Sequence, residues 1–376
     1  MADARQGIEQ ANSYVGMVVA IFKAVERLQD GHTRFIPPPW QHRYFFGFQA
    51  KAFGDEVYIW DLKKKGVAER AGLQIGDRIL SVNGARAERS TWSTLIAFLR
   101  FYAPAPKLHI GYSRHGGPMQ TVQLEGRVEI SPAVTNTLDS HYVNDLMRDF
   151  EDPKTEASRK EGVYRYAPPD KDGIGYLELR DFEMSEYFMS LLTSKIKNAK
   201  AVVVDLRGNQ GGGIDTLSYM TGLFESEPAK VADIVGRRKT EPIKVKVRKP
   251  NIQAPLYILA DSESASAAEI FARFFQRKGR AVVLGDRTAG SVKAARVFSD
   301  QVGSDIVSPY ATEVSVGRVV LEGGEEIGDG GVTPDSPCLP SEDDLRQRKD
   351  ICLAKAYSMA KGRLQGTGQE LRSSLN

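Results

Sequence analysis

The chain has 376 residues, 41% hydrophobic and 26% charged, which excludes wholesale disorder and suggests two or three domains at roughly 150 residues each. Lys and Arg total 51, Asp and Glu 48, and the resulting charge of +3 argues against nucleic acid or a membrane surface as partner, because both favour a concentrated basic excess. No run approaches the ~18 apolar residues that span a bilayer. The early apolar run 17–22 lacks the basic start and cleavage site of a signal peptide, which fits either a cytosolic chain or a mature segment whose targeting sequence has been removed.

The first predicted element is a helix over 11–28, where Val15, Val18, Val19, Phe22, Val25 and Leu28 recur at helical spacing. Asp30-Gly31 stops it, and His32 follows before a proline-rich turn at Pro37, Pro38 and Pro39. From 42 to 127 the pattern is short strands at 44–49, 57–62, 78–82, 107–112 and 120–125. A helical turn at 66–73 and an amphipathic helix at 91–101 interrupt them, and Asn83-Gly84 marks a tight turn. Residues 132–172 read as a polar linker with no assignable element. Beyond them strands and helices alternate, with strands at 174–180, 201–206, 256–260 and 281–285 and helices at 185–198, 215–224 and 265–277. That rhythm predicts a partly parallel sheet covered by helices. Two further β segments, 231–247 and 306–321, break it, and 342–364 reads as a charged helical tail.

Three segments carry residues suited to chemistry. In 203–213 a buried strand runs into the glycine-rich turn Gly208-Asn209-Gln210-Gly211-Gly212-Gly213, whose backbone N–H groups suit an oxyanion. The phosphate-loop pattern is missing there. In 259–269 a second strand meets a helix at three serines, Ser262, Ser264 and Ser266. One is expected to cap the helix, and the small residues around them suit a nucleophile with a neighbouring donor. The third segment is Gln29-Asp30-Gly31-His32-Thr33. A lone histidine after a helix is usually structural, but the chain has 5 histidines, and a general base must come from that small set. The 2 cysteines, Cys338 and Cys352, are too few for a zinc cluster and stand as either one disulfide or two thiols.

The segment 42–127 resembles a PDZ domain, on the order "GVAERAGLQIGDRILSVNG" at 66–84. The resemblance places Phe45, Phe46, Gly47 and Phe48 where that family receives a peptide C-terminal carboxylate, and implies recognition by strand addition. A spacer or lid is the other role open to it. The whole chain resembles the S41 peptidases, which include tail-specific processing proteases and tricorn-like proteases. The matching elements are "DGHTRF" at 30–35, the PDZ segment, "VVVDLRGNQGG" at 202–212, "SASAAEI" at 264–270, "VVLGDRTAGS" at 282–291 and "GGVTPD" at 330–335, in family order. The resemblance implies an α/β fold: a crotonase-like (ClpP/crotonase) ββα core with an inserted PDZ domain. Residues 1–41 would be the N-terminal helical part of the protease domain, 42–127 the PDZ domain, and 128–376 the protease core with its helical tail.

Carried over by position, the resemblance makes Ser266 the nucleophile and gives the oxyanion to the N–H groups of Gly211 and Ala267. The serine–lysine branch would place its lysine at the position of Ser291 and a glutamine at that of Ala295. Lys293, two residues from Ser291, is the alternative base. The histidine-using branch points to His32, which is favoured here. Its glutamate position falls on Gly328. Glu326 faces the same way if the segment is a strand, and Glu325 and Asp329 are the alternatives. The reaction needs no metal and no organic cofactor. The implied partners are protein or peptide substrates, taken through a free C-terminus, and the implied setting is periplasmic or secreted, where Cys338 and Cys352 would pair. Two rivals remain: a catalytically impaired S41-like peptide-binding scaffold, supported by Ser291, Ala295 and Gly328, and a crotonase-type acyl-CoA enzyme.

Overall fold

The computed structural model describes residues 2–38, 40, 42–130, 164–302 and 308–366. The chain divides into two compact units. One comprises Met1–Glu161, Ala295–Val316 and Ser341–Gln347; the other comprises Gly162–Ala294, Gly317–Pro340 and Arg348–Asn376.

The first unit opens with helices α1 (Ala2–Glu9) and α2 (Tyr14–Glu26). The predicted helix 11–28 is trimmed because the Ser13 hydroxyl caps α2 by accepting the Gly16 N–H, and Gln29 takes a positive φ of 48°. Strand β1 (Arg34–Ile36) pairs antiparallel with residues 311–313. The expected strand 44–49 is two strands, β2 (His42–Phe45) and β3 (Phe48–Phe53), broken where Gly47 adopts a φ of 75°. An aromatic run hides that turn from a propensity reading. Next come β4 (Glu56–Leu62), α3 (Val67–Arg70), β5 (Arg78–Val82), β6 (Ala85–Arg86) and α4 (Arg89–Ala97), which continues as a π-helical turn at Phe98–Tyr102. Strands β7 (Lys107–Ser113), β8 (Gln120–Glu125) and β9 (Arg127–Ile130) complete the segment. The sheet order is β3-β4-β5-β7-β8, with β6 on β5, and β2 pairs with β9. Val57, Ile59, Leu73, Ile79, Ile110 and Leu124 form its buried core.

The second unit begins with β10 (Tyr164–Ala167), so the predicted linker ends there; its residues up to 163 lie outside those described. β11 (Ile174–Leu179), α5 (Glu186–Ile196), β12 (Ala201–Asp205) and α6 (Ile214–Phe224) follow. Antiparallel β13 (Lys230–Gly236) and β14 (Thr240–Lys244) lead to β15 (Leu256–Ala260), α7 (Ala267–Arg277) and β16 (Ala281–Gly285). Next in the chain come β17 (Lys293–Val302), for which the sequence carries no clear strand signal, and β18 (Ser308–Leu321), whose residues up to 316 belong to the first unit, and then β19 (Ser336–Pro337) of the second. Residues 317–321 of β18 pair antiparallel with β13. The expected single tail helix is two, α8 (Glu342–Arg346), which belongs to the first unit, and α9 (Ile351–Leu364) of the second, because Arg348 takes a φ of 53° and Asp350 caps α9.

The central sheet runs β10-β11-β12-β15-β16-β19, parallel from β11 onward. Every residue of β12 and β15 is buried, as continuous apolar strands covered on both faces must be. Alternate side chains serve opposite faces. Val202, Val204 and Ile258 pack with α5–α7, whereas Ala201, Val203, Tyr257 and Leu259 pack with Cys352, Ala356 and Ala360 of α9. Cys338 and Cys352 form a disulfide that ties the first turn of α9 to the end of β19. Reduction is expected to cost about 3 kcal/mol, the entropy of a loop of roughly 15 residues. A melting temperature unchanged by reductant would show that packing of α9 alone holds that end.

Candidate active site

β12 and β15 are neighbours, so the glycine-rich turn and the serine turn leave the same edge of the parallel sheet side by side. Open α/β sheets place their ligands at such carboxyl ends. The two turns are stitched together. The Gly208 N–H donates to Asp261 Oδ1 at 2.9 Å, the Ala265 N–H to the Asn209 carbonyl at 2.8 Å, and the Ser264 hydroxyl to the Leu206 carbonyl at 2.8 Å. Ser264 is thereby buried and used as a brace, and its role is structural. Ser266 is half-buried and sits at the N-cap position of α7 with φ 54° and ψ −117°, a conformation that a non-glycine residue holds only when its surroundings impose it.

The surroundings are Glu269 and the loop after β16. The Ser266 N–H donates to Glu269 Oε2 at 3.0 Å and to the Ser291 carbonyl at 2.9 Å. Glu269 is fully buried and also accepts from the Thr288 hydroxyl at 2.5 Å, the Gly290 N–H at 2.8 Å and the Ser291 N–H at 2.9 Å. Desolvation by burial pushes its carboxyl above the usual range, against the opposite pull of these donors. Thr288 Oγ1 in turn accepts the Val332 N–H at 2.6 Å. One carboxylate therefore binds Ser266 to the 288–291 loop and, through Thr288, to Val332.

Gly211 lies against the serine. A Cβ built on it would stand 2.6 Å from Ser266 Cβ and 3.0 Å from the Ala267 nitrogen. Ala267, the first residue of α7, has no intrahelical acceptor for its N–H, and the helix dipole adds positive character there. The Gly211 N–H, proposed from sequence as the second donor, is given to Asn209 Oδ1 at 2.8 Å. The N–H of Gly212, beside it, has no acceptor among the described residues. Gly211, Ser266 and the Ala267 N–H are thus brought together, an arrangement that suits acyl transfer.

The other expected residues are placed as follows. His32 follows α2 in a turn organised by Asp30, which accepts the His32 N–H at 3.1 Å, the Thr33 hydroxyl at 3.1 Å and the Ser315 hydroxyl at 2.9 Å. Lys293 opens β17, two residues beyond the Ser291 carbonyl that holds Ser266. Glu325, Glu326 and Asp329 lie between β18 and β19 outside any strand, so the period-two argument that singled out Glu326 does not apply there. Glu326 pairs with Arg318 at the surface, and Glu325 with Arg273 at 2.8 Å and Arg277 at 3.3 Å. The Asp329 carbonyl packs on Gly290. In the first unit Phe45 and Phe46 are buried, and the Phe46 and Gly47 carbonyls accept from Ala68 and Lys63, which fixes this loop against α3. β3, which begins at Phe48, lies at the edge of its sheet among the described residues, and the Trp92 indole N–H donates to its Ala50 carbonyl at 3.0 Å.

Glu269, Asn209, Asp261 and Asp30 hold candidate site residues without belonging to the expected catalytic set. Glu269 was legible, since Ser266-x-x-Glu269 has capping-box spacing. Asn209 and Asp261 each accept the N–H two residues on, a local turn pattern, but their bonds to Leu179 and Gly208 are long-range and carry no sequence signal.

Residues 173–338 match peptidase family S41, and residues 59–100 match a PDZ domain. The chain is 25% identical over 344 residues to carboxyl-terminal-processing peptidase 1, chloroplastic, of Arabidopsis thaliana, covering 86% of this chain and 63% of that protein. It is 23% identical over 295 residues to the carboxy-terminal processing protease CtpA of Bacillus subtilis, covering 77% and 54%. The chain thus spans between half and two thirds of the length of these relatives. In fold it is similar to mature CPAF, with a TM-score of 0.68, 14% identity, and coverage of 98% of this chain and 92% of that one. It is also similar to mature CPAF complexed with lactacystin, with a TM-score of 0.67, 14% identity, and coverage of 97% and 91%.

Proposed function

We propose that this chain, whose residues 173–338 match peptidase family S41, is a serine endopeptidase acting on protein or peptide substrates through an acyl-enzyme. The observation that carries the reading is the strained backbone of Ser266, held by Glu269 and the Ser291 carbonyl at the N-terminus of α7 and faced by Gly211. Strain at a strand-to-helix junction is how hydrolases present a nucleophile.

In the proposed mechanism His32 removes the Ser266 proton as Oγ bonds to the substrate carbonyl carbon. The oxyanion is received by the Ala267 N–H and by the Gly211 N–H, which then exchanges Asn209 Oδ1 for the substrate oxygen. His32 protonates the departing amine as the C–N bond breaks. Water then attacks the acyl group, its proton passes to His32, and Ser266 regains a proton as the ester bond opens. Glu326 is the proposed partner of His32, with Glu325 and Asp329 as alternatives, and Lys293 is the alternative base. Residues 42–127 are proposed to hold a substrate C-terminus at Phe45–Phe48 or to gate the site. Residues 1–41 and 128–376 would form the protease domain. The disulfide supports an oxidising, periplasmic or secreted setting.

The test is peptide cleavage by wild type, Ser266→Ala, His32→Ala and Lys293→Ala. Ser266→Ala and His32→Ala should each lose on the order of 10²–10⁴-fold in kcat, with Lys293→Ala near wild type. Loss in Lys293→Ala with His32→Ala intact would move the base to lysine. The engagement of the Gly211 N–H by Asn209 favours the scaffold reading as the second choice. Failure of a fluorophosphonate probe to label wild type would establish that reading.

A further inference from the structure

The turn that carries Gly211 is held from behind by a residue that lies beyond the matched segment. The Arg207 guanidinium, one residue before Gly208, grips two carboxylates. Its Nε and Nη2 donate to Asp205 at 2.9 and 2.6 Å, and its Nη1 and Nη2 donate to Asp350 at 2.9 and 2.8 Å. Asp205 is buried and also accepts the Tyr176 hydroxyl at 3.0 Å and the Arg207 N–H at 3.1 Å. Asp350 is the N-cap of α9 and accepts the Leu353 N–H at 2.9 Å. Two residues on, the disulfide of Cys352 with Cys338 pins the same helical turn, and the Cys338 N–H donates to the Gly285 carbonyl at the end of β16.

We infer that Asp350 is a positioning residue for the proposed oxyanion turn, acting through Arg207. A planar guanidinium forked by carboxylates on both sides has one orientation, and that orientation sets where the chain leaves β12. From there Gly208 is tied to Asp261 and Asn209 to Ala265, so displacement at Arg207 passes directly to Gly211 and to its contact with Ser266. The Asp350 side chain is 40% exposed, so its charge contributes little to stability. Its effect is on the freedom of the turn. The C-terminal helix, bonded covalently at its start, therefore supplies part of the frame of the site.

The inference rests on the proposed peptidase reading for its kinetic consequence only. Asp350→Asn keeps a good cap for α9 and removes the second carboxylate. Expected are a melting temperature close to wild type, faster amide exchange at Gly208, Asn209 and Gly211, and a kcat about tenfold lower with KM unchanged, since small misplacements at a reacting centre cost on this order or more. Asp350→Glu, which keeps the charge, should restore both protection and kcat. Unchanged exchange across 208–213 in Asp350→Asn overturns the inference whether or not the protein cleaves peptides. So does changed exchange with wild-type kcat, or an Asp350→Glu variant as impaired as Asp350→Asn. If wild type neither cleaves peptides nor labels, the peptidase reading fails and the exchange arm decides the clamp by itself.

Discussion

Gly211→Ala is expected to abolish peptide cleavage while leaving the sheet intact. Gly211 has φ 100°, which L side chains rarely adopt, and the added Cβ would stand 2.6 Å from Ser266 Cβ and 3.1 Å from the Ala265 carbonyl oxygen. Neither neighbour is the far end of a flexible chain. Ser266 is held through its own N–H by Glu269 and the Ser291 carbonyl, and the Ala265 N–H is bonded to Asn209. Relief therefore requires the two turns to separate. Backbone strain of about 1–3 kcal/mol adds to overpacking of about 1–3 kcal/mol, and displacement of the serine by even ~1 Å costs roughly 10²-fold in rate. Steady-state kinetics and a thermal melt check this together. A kcat within twofold of wild type would mean that Gly211 does not border the reacting centre.

Glu269→Gln is expected to be nearly as damaging, and also destabilising. The carboxylate accepts from four donors, two on each oxygen. An amide can serve only the two on its remaining oxygen, so two buried donors lose their acceptor at about 1–3 kcal/mol each. At roughly 2–4 °C per kcal/mol, the melting temperature should fall by about 5–20 °C. Ser266 should relax from its positive φ, with loss of cleavage. The pH dependence has a defined sign. Burial raises the Glu269 pKa in the folded state, so its contribution is complete below the unfolded-state value and is lost as pH rises through the folded value. Glu269→Gln has no proton to lose, and its stability curve should lack that decline. A melting temperature equal to wild type at all pH values would refute the four-donor assignment.

Much of the central sheet was legible in the sequence, because strands covered on both faces must be apolar without interruption. The runs 201–206, 256–260 and 281–285 satisfy that requirement with few alternatives. The local pattern offered three serines at the strand-to-helix junction, and only the S41 resemblance singled out Ser266 among them. The break at Gly47 was hidden, since aromatic residues on both sides carry β propensity and only the backbone dihedral reveals the turn. The strand assumed around Glu326 was wrong for a related reason. Alternation of side chains presupposes a ladder, and the segment between β18 and β19 has none.

By itself, then, the sequence determined the order of the elements, the parallel core and the serine and glycine turns. Each of these depends on local patterning, either apolar periodicity or residues that permit tight backbone. Only the tertiary structure decided which of three serines braces the turn and which is strained, and that Glu269 gathers four donors. It also decided that Asp350 grips Arg207 across 143 positions of chain. Those outcomes depend on hydrogen bonds between residues distant in sequence, and such bonds leave no periodic trace because a single donor meeting a single acceptor has no pattern to repeat.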